Sequence, residues 1–525
     1  MSTPLSLILY RDRSWLVVDK PTGMATHAGN PGELGVVEWL DLHLGIKAHV
    51  VSRLDRATSG ALLLAADPAA SARAQDIHEN AGALKTYTFV ATCGGDAPAP
   101  GATWTRTDDI DGKTAHTEFR CLGHVDAPGL PLLVHGQAEI THGRRHQIRR
   151  HASLSGLPIL GDDVYGGALW GRLCLHCHSV RWPEIPTPVT APLPASLGAL
   201  SAGDPNPGFA LCRDRRGLWP AAVCDAFRAV HRDEINGLPA SLDVYGPWFN
   251  LVWYDEDVPL PEALPILEPV LEAAGQAWGL RGGVLRDHRR NPHEQQLVGE
   301  RIVRGERPPR TFVVQEHDLR YRINLLTTQH TGLFTDQRDV RRRVAQIAAG
   351  RRMANLFAYT CSFSVAAAAE RAEVVFSVDT ARPCLNTGKE NFELNHLTQT
   401  GIGKFIQSDV RKWLARQVRK RDRDSDEWQG LDLIICDPPV FASARDGGSF
   451  AVEREWGPLA RICAGLLAPG GVAVFANNHR TGDHVDYRKA LEGEFAQVTH
   501  LRAPLDFPVL PGCPPHVRTF WCEKT

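Results

Sequence analysis

The chain has 525 residues, 43% of them hydrophobic and 22% charged, with a formal net charge of −2. That length excludes a single ordinary domain, and the balance excludes a disordered or fibrous chain. The near-neutral charge excludes phosphate binding by the surface as a whole, so any contact with a polyanion must be local.

The opening MSTPLSLILYRDR has a short apolar run with its charges after it, which is not a signal-peptide pattern, and no run reaches the roughly 18 apolar residues of a membrane span. A cytoplasmic location and reduced thiols for the twelve cysteines are the corresponding expectations. Leu16–Val18, Thr86–Ala91 and Leu132–Val134 predict strands and Ala66–His78 a helix, together a mixed α+β domain rich in antiparallel pairing. Cys174-Leu175-His176-Cys177-His178 has the spacing of a haem attachment motif, but no second ligand cluster accompanies it. It is read as a buried strand, and no metal is expected. Proline and small residues displace the hydrophobic pattern over Pro183–Pro207, which predicts a domain end near residue 200.

Val230 to about Asn324 predicts a small α/β piece. Beyond it Met353–Ala358, Val374–Asp379, Lys404–Gln407, Leu431–Asp437 and Gly471–Ala476 are short apolar strands separated by helical stretches, the pattern of a doubly wound parallel sheet. The expected multidomain α/β organisation is a first domain at 1–205, a linker at 206–229, a connector subdomain at 230–324 and a Rossmann-like domain at 325–525. Local basic clusters fall at Arg144, Arg145, His146, Arg149 and Arg150, at Arg289, Arg290, Arg301, Arg304, Arg307 and Arg310, and at Arg416–Arg423. The last alternates with Asp422, Asp424, Asp426 and Glu427 and reads as a solvated loop.

Three segments of the first domain carry chemistry: RLDRATSGALLLA (Arg53–Ala65, preceded by LVVDKPTGMATHAG), KTYTFV (Lys85–Val90) and THGRRHQIRRHASLSGLPILGDDVYG (Thr141–Gly166). In this order they resemble the signature blocks of the RluA family of pseudouridine synthases. The resemblance implies isomerisation of uridine in RNA, which breaks the bond from ribose C1′ to N1 and remakes it to C5. That reaction needs an ionised carboxylate beside C1′ and, by the same resemblance, no cofactor. Asp55 matches the carboxylate, acting on C1′ or on a ribose proton. Arg149 matches its cationic partner, Tyr87 the ring that stacks on a flipped uracil, and Arg53 a residue that holds the displaced RNA. Arg144, Arg145 and His146 are further candidate RNA contacts. Ser52 stands where many members have histidine. No S4-like RNA-binding module is expected ahead of blocks that begin almost at residue 8.

In the second half NLFAYTCSFSVAAAA (Asn355–Ala369) follows an apolar strand and opens a helix, Asp379 ends the next strand, Asp409 follows another in QSDVRKWL, and Asp437-Pro438-Pro439 follows LDLIIC. With LPASLDVYGPWFNLVWYDED, TGLFTDQRDVRRRV (Thr331–Val344), DPPVFASAR and FANNHR (Phe475–Arg480), this half resembles the RlmI and RlmK families of large-subunit ribosomal RNA methyltransferases. The resemblance implies S-adenosylmethionine as cofactor, with Phe334, Asp336, Arg338, Asn355, Phe357, Tyr359, Asp379 and Asp409 around it. Asp437, Pro438 and Pro439 then face both cofactor and target base. Carbon-5 methylation of cytosine needs a thiolate, which the family's carbon-methylating members carry after the late strand, where Asn477-Asn478-His479 stands here. Guanine N7 has its own lone pair, so N7 is the expected target atom. Cys361 replaces the glycine of related enzymes.

The expected partner is structured RNA, above all large-subunit ribosomal RNA, with transfer RNA left open as a target; no membrane and no obligate protein partner is implied. Two alternatives stay open: a methyltransferase-like half kept as an RNA-binding or ribosome-assembly platform, and a cytosine-C5 enzyme.

Overall fold

The computed structural model describes residues 7–80, 82–204, 207–217, 219–235, 238–288, 301–328, 330–423, 428–443, 449–479, 486–510 and 513–524. Arg289, Arg290, Asp424, Asp426, Glu427, Ala444, Arg445 and Arg480 of the sequence reading lie outside the described residues. The chain divides into two compact units: Met1–Gly29, Leu34–Val223 and Arg232–Leu238 form the first, and Asn30–Glu33, Cys224–His231 and Pro239–Thr525 the second.

The first unit is built on a ten-stranded sheet: β1 (Ile8–Arg11), β2 (Trp15–Lys20), β3 (His49–Val50), β4 (Ser59–Ala65), β5 (Leu84–Thr92), β6 (Thr103–Ile110), β7 (Lys113–Val125), β8 (Leu133–Ile140), β9 (Leu175–Arg181) and β10 (Val189–Thr190). The main path runs β1-β2-β4-β9-β5-β8-β7-β6, with β3 on β4 and β10 on β9. Only the β4–β9 pairing is parallel among the strands described. Sequence pattern dictates which strands are covered. In β7 Ala115, Thr117, Phe119 and Cys121 are buried and alternate with exposed residues, so one face packs and one meets water. SGALLLA of β4 is buried throughout. Helices α1 (Val36–Leu44), α2 (Pro68–Asn80) and α3 (Gln147–Leu154) accompany the sheet.

The proline-rich segment is not a domain end. It contributes β10 and then α4 (Ala195–Ser201), which buries Leu197 and Leu200 and packs on α5 (Gly208–Arg216). The stretch 206–229, expected to be a linker, thus holds α5, with Cys212, Asp214 and Arg216 buried, and also β11 (Ala226–Val230). Buried side chains spaced one helical turn apart outweigh the prolines that flank them. The C-x-x-C-H segment is β9, in which His176 and Cys177 are buried.

In the second unit β11, β12 (Ala240–Tyr245), β13 (Trp248–Trp253), β14 (Gly282–Asp287) and β15 (Arg301–Gly305) form one sheet in that order, with α6 (Leu260–Trp278) connecting β13 to β14. A hairpin of β16 (Phe312–Glu316) and β17 (Leu319–Ile323) follows. The main sheet holds β18 (Arg352–Leu356), β19 (Val374–Asp379), β20 (Gly403–Gln407), β21 (Leu431–Cys436), β24 (Leu467–Asn477), β25 (Gln497–Leu501) and β26 (Arg518–Glu523), while β22 (Phe441–Ser443) and β23 (Ser449–Ala451) pair separately. Its order is β20-β19-β18-β21-β24-β26-β25, parallel from β20 to β24 and antiparallel at β26 and β25. Helices α7 (Arg338–Gln346), α8 (Ser362–Ala369), α9 (Arg382–Leu394), α10 (Val410–Arg423), α11 (Val452–Leu466) and α12 (Tyr487–Glu492) belong to it. Strand order reverses at β18, so the crevice beyond the carboxyl ends of β18 and β21 is where such a sheet binds ligands. Among the described residues no helix is long and apolar enough to cross a membrane.

Candidate active sites

A cavity of about 1150 Å³ opens in the first unit, lined by Asp55, Tyr87, His146 and Arg149 together with Ser52, Arg53, Arg144 and Arg145. Asp55 sits on the loop between β3 and β4, Tyr87 on β5, and His146 and Arg149 at the start of α3. Arg149 Nη1 stands 3.8 Å from Asp55 Oδ2, and His146 Nε2 stands 3.9 Å from the same oxygen. The Asp55 side chain keeps 31% exposure, so it is reachable, while Arg149 at 8% is not free to swing.

What fixes Arg149 is a carboxylate that the sequence reading passed over. Asp162, fully buried, accepts Arg149 Nε and Nη2 at 2.7 Å each, and also the backbone N–H groups of Val164 and Tyr165. Burial opposes both charges, but the bidentate pair raises the Arg149 pKa and lowers that of Asp162. Nη1 is left to face Asp55. Tyr87 is 5% exposed, and burial, then Cys177 and Asp55, push its phenol well above the ordinary value, so it stays neutral. In register it lies between Ala138 of β8 and Cys177 of β9. Burial lifts the Cys177 thiol to about 12, which makes it packing for that tyrosine.

The Asp55 loop is held by the segment before it. Lys20 is fully buried and its ammonium donates to the carbonyls of Pro21 (2.9 Å), Met24 (2.6 Å) and Arg56 (3.2 Å). Thr22 Oγ1 donates to Ala57 O and Thr26 Oγ1 to Leu54 O. Burial drives the Lys20 pKa down to about 7, with Arg172 adding to the drop and Asp55 opposing it. The K-P-T-G-x-x-T string is therefore the clamp of the Asp55 loop. Arg53 and Arg145 are exposed and Arg144 half-buried, with no ion pair at any of the three among the described residues. His146, expected only as an RNA contact, is a neighbour of Asp55. The Ser52 hydroxyl is buried and has no hydrogen-bond partner among the described residues.

In the second unit the turn from β18 to α8 carries three non-glycine residues in the left-handed region, Phe357 (φ 57), Tyr359 (φ 47) and Cys361 (φ 63). Such strain accumulates where a loop is shaped for a ligand. Asp379 at the end of β19 holds this turn, accepting Tyr359 N–H at 2.9 Å and Ala381 N–H at 2.7 Å. A carboxylate has about four acceptor positions, so two remain for hydroxyls. Cys361 explains itself here. Its backbone occupies a conformation that suits glycine, yet its side chain is fully buried and turned against Gly388 of α9, where a Cβ would meet Sγ at 2.4 Å.

Asn355 is buried and donates to Ser364 Oγ at 2.9 Å, a structural contact. Asp409 caps α10, taking the N–H groups of Arg411 and Lys412 and the Arg411 guanidinium, which lower its pKa against the effect of burial. The Phe334 ring, 39% exposed, lies 5.2 Å from that of Tyr359, with His330 5.5 Å from Phe334. These rings form an aromatic face. Asp437, with Pro438 and Pro439 after it, follows β21. Burial lifts its carboxyl to about 7, with Asp336 adding to the rise. Burial likewise lifts Asp336 to about 6, with Arg228 and Arg341 opposing.

Arg338 does not line this site. It is 3% exposed, paired with Asp506 and donating also to Cys224 Sγ and Ala226 O. A partner 168 residues away is invisible to local pattern. At the carboxyl end of β24 Asn477 is buried, its Nδ2 without a hydrogen-bond partner among the described residues, and His479 Nδ1 lies 2.7 Å from Tyr487 Oη. Cys436 is fully buried, and burial raises its thiol well above the ordinary value.

A family model for RNA pseudouridylate synthase matches residues 14–154, and one for S-adenosylmethionine-dependent methyltransferase matches residues 252–512. Ribosomal RNA large subunit methyltransferase K of Neisseria meningitidis serogroup B is 33% identical over 260 residues, covering 49% of this chain and 70% of that relative. Through its second unit the chain belongs to this methyltransferase family. Ribosomal RNA large subunit methyltransferase K/L of Hahella chejuensis is 32% identical over 269 residues, 49% of this chain but 35% of that protein, so the chain spans about a third of the K/L relative's length. Among solved structures, SMU.776, a putative methyltransferase complexed with SAH, aligns with a TM-score of 0.51 at 25% identity over 60% of this chain and 80% of its own. The first unit carries an RNA pseudouridylate synthase domain. Both family resemblances read from the sequence hold, and the methyltransferase unit is of the S-adenosylmethionine-dependent kind.

Proposed function

We propose that the chain is a bifunctional RNA-modifying enzyme that isomerises uridine to pseudouridine in its first unit and methylates guanine N7 of large-subunit ribosomal RNA in its second. The observation that supports the first activity most is Asp55, accessible in a large cavity, with Arg149 Nη1 at 3.8 Å and held there by Asp162. A carboxylate entering a desolvated site stays ionised beside such a cation. In the proposed reaction Asp55 acts at C1′ or on a ribose proton, the C1′–N1 bond breaks, the uracil turns against Tyr87, the C1′–C5 bond forms as the Asp55 carboxylate is regenerated, and the proton lost from C5 is matched by one gained at N1. Atoms and redox state are conserved.

For the second activity the residues fit an adenosyl cofactor: Asp379 keeps acceptor positions for ribose hydroxyls beside a strained turn, and Phe334 and Tyr359 offer a face for a flat ring. S-adenosylmethionine, when bound, supplies an electrophilic methyl group. The chain's own part is to orient the base through Asp437-Pro438-Pro439 and to exclude water. N7 is favoured over cytosine C5 because Asn477-Asn478-His479 supplies no thiol, and the nearby thiols of Cys436 and Cys361 are buried in packing. The position of Cys361 against Gly388 favours a competent pocket over an inert platform.

The test is mass-spectrometric mapping of ribosomal and transfer RNA incubated with the chain and S-adenosylmethionine. Expected are pseudouridine and a methylated guanosine whose site is cleaved by borohydride and aniline, with no denaturant-resistant complex on RNA carrying 5-fluorocytidine. A covalent complex lost on Cys436→Ala or Cys361→Ala would make the second unit a cytosine-C5 enzyme. Calorimetry showing no cofactor binding would make it a platform.

A further inference from the structure

Both groups that face Asp55 rest on one residue to which neither the motifs nor the comparisons give a role. Tyr165 Oη lies 3.0 Å from His146 Nδ1 and accepts Arg150 Nε at 3.1 Å. Arg150 is itself anchored by Nη1 to Asp111 Oδ1 at 3.1 Å. The guanidinium carbon of Arg149 stands 5.1 Å from the Tyr165 ring centroid, within cation–π range. The backbone N–H of Tyr165 also binds Asp162, the carboxylate that grips Arg149.

Proton counting favours one direction for this chain of bonds. A guanidinium nitrogen only donates, so Arg150 Nε occupies a lone pair of the phenol oxygen, and the single Tyr165 O–H is free to donate to His146 Nδ1. A neutral imidazole that accepts at Nδ1 carries its proton on Nε2. Nε2 is the ring atom 3.9 Å from Asp55 Oδ2. Burial lowers the His146 pKa and the charges of Arg149, Arg145 and Arg150 add to the drop, with Asp55 opposing, which favours the neutral ring. The backbone of His146 is left-handed (φ 56) at the entry to α3, and the residue lines the cavity.

We propose that Tyr165 is a positioning residue of the pseudouridine synthase site: its hydroxyl fixes His146 as the Nε2–H tautomer turned toward Asp55, and its ring seats Arg149, so that the carboxylate meets the ribose between two preset donors. This rests on the reading of the first unit as a pseudouridine synthase. Imidazole ¹⁵N shifts of the histidine-labelled full chain, with His146 assigned through His146→Gln, report the tautomer without turnover. The Nε2–H form is expected in the wild type and a mixture of tautomers in Tyr165→Phe. Tyr165→Phe keeps the ring under Arg149 and is expected to lower kcat for pseudouridine formation roughly tenfold, the scale of one lost hydrogen bond, with KM for RNA unchanged. Tyr165→Leu, which also removes the ring, is expected to lower it further. An Nδ1–H tautomer in the wild type overturns the inference, and so does a wild-type kcat in Tyr165→Phe. A loss confined to KM overturns it as well, since Tyr165 would then be an RNA contact. Failure of the parent reading has a different signature: the wild type forms no pseudouridine, and the ¹⁵N shifts alone then decide the tautomer.

Discussion

Asp55 and Asp437 are both loop aspartates, yet their surroundings differ. Asp55 has a guanidinium nitrogen at 3.8 Å. Asp55→Asn keeps volume and removes the charge, so pseudouridine formation should fall below detection while methyl transfer and the unfolding midpoint stay as in the wild type. Retained isomerisation would remove Asp55 from the chemistry. Asp437 and Asp336 instead have raised pKa values in the folded state, about 7 and about 6. An acid whose folded pKa is raised gives stability that is complete below the unfolded value and is lost as pH rises through the folded one. The methyltransferase unit should therefore be most resistant to urea below about pH 4 as far as this pair is concerned, and lose resistance from there up to about pH 7 to 8. A cationic cofactor beside them favours the ionised forms. Binding at about pH 6.5 should then release protons, read as a calorimetric enthalpy that differs between phosphate and Tris buffers. Equal enthalpies would place the pair outside the cofactor's reach.

At the scale of elements, the meeting of Asp55, Tyr87 and Arg149 in one cavity was legible because the blocks that carry them are short and ordered. What supports them was not. Asp162 and Tyr165 stand in the same quoted block as Arg149, but nothing in G-D-D-V-Y-G says which carboxylate turns inward until β9 and the preceding turn are in place. Arg338 was misplaced for the same reason: its partner Asp506 comes from the far end of the unit. Helices α4 and α5 were hidden by prolines, since seven- and nine-residue helices offer too few turns for a period to show. Lys20 is the clearest case of a support read as scenery. Lys20→Met keeps the stem and strands three carbonyls, so the first unit should lose about 2 to 4 kcal/mol of stability, with pseudouridine formation reduced more than methylation. Denaturant titration followed by both assays checks it. An unchanged midpoint would mean that the loop holds without its clamp.

At the scale of the whole molecule the parallel sheet was legible from its buried apolar runs after about residue 340, and the presence of more than one unit from the break in pattern over Pro183–Pro207. The exact passage between them was not, because the segment that crosses it is itself structured. Two compact units predict two unfolding transitions. S-adenosylhomocysteine at about a hundred times its Kd should stabilise one of them by about 2.7 kcal/mol and leave the other in place, as scanning calorimetry would show. A single transition that moves as a whole would mean that the units fold as one.

Lys20 also makes the first unit a clock of its own opening. Released into water, the Lys20 amine regains the ordinary lysine pKa of about 10.4, and its small unprotonated fraction is the form that attacks acylating reagents. Full burial keeps reagent away from it. Each acylation of Lys20 thus records one moment at which the Asp55 loop has let go, and the labelling rate separates brief local release from unfolding of the entire sheet.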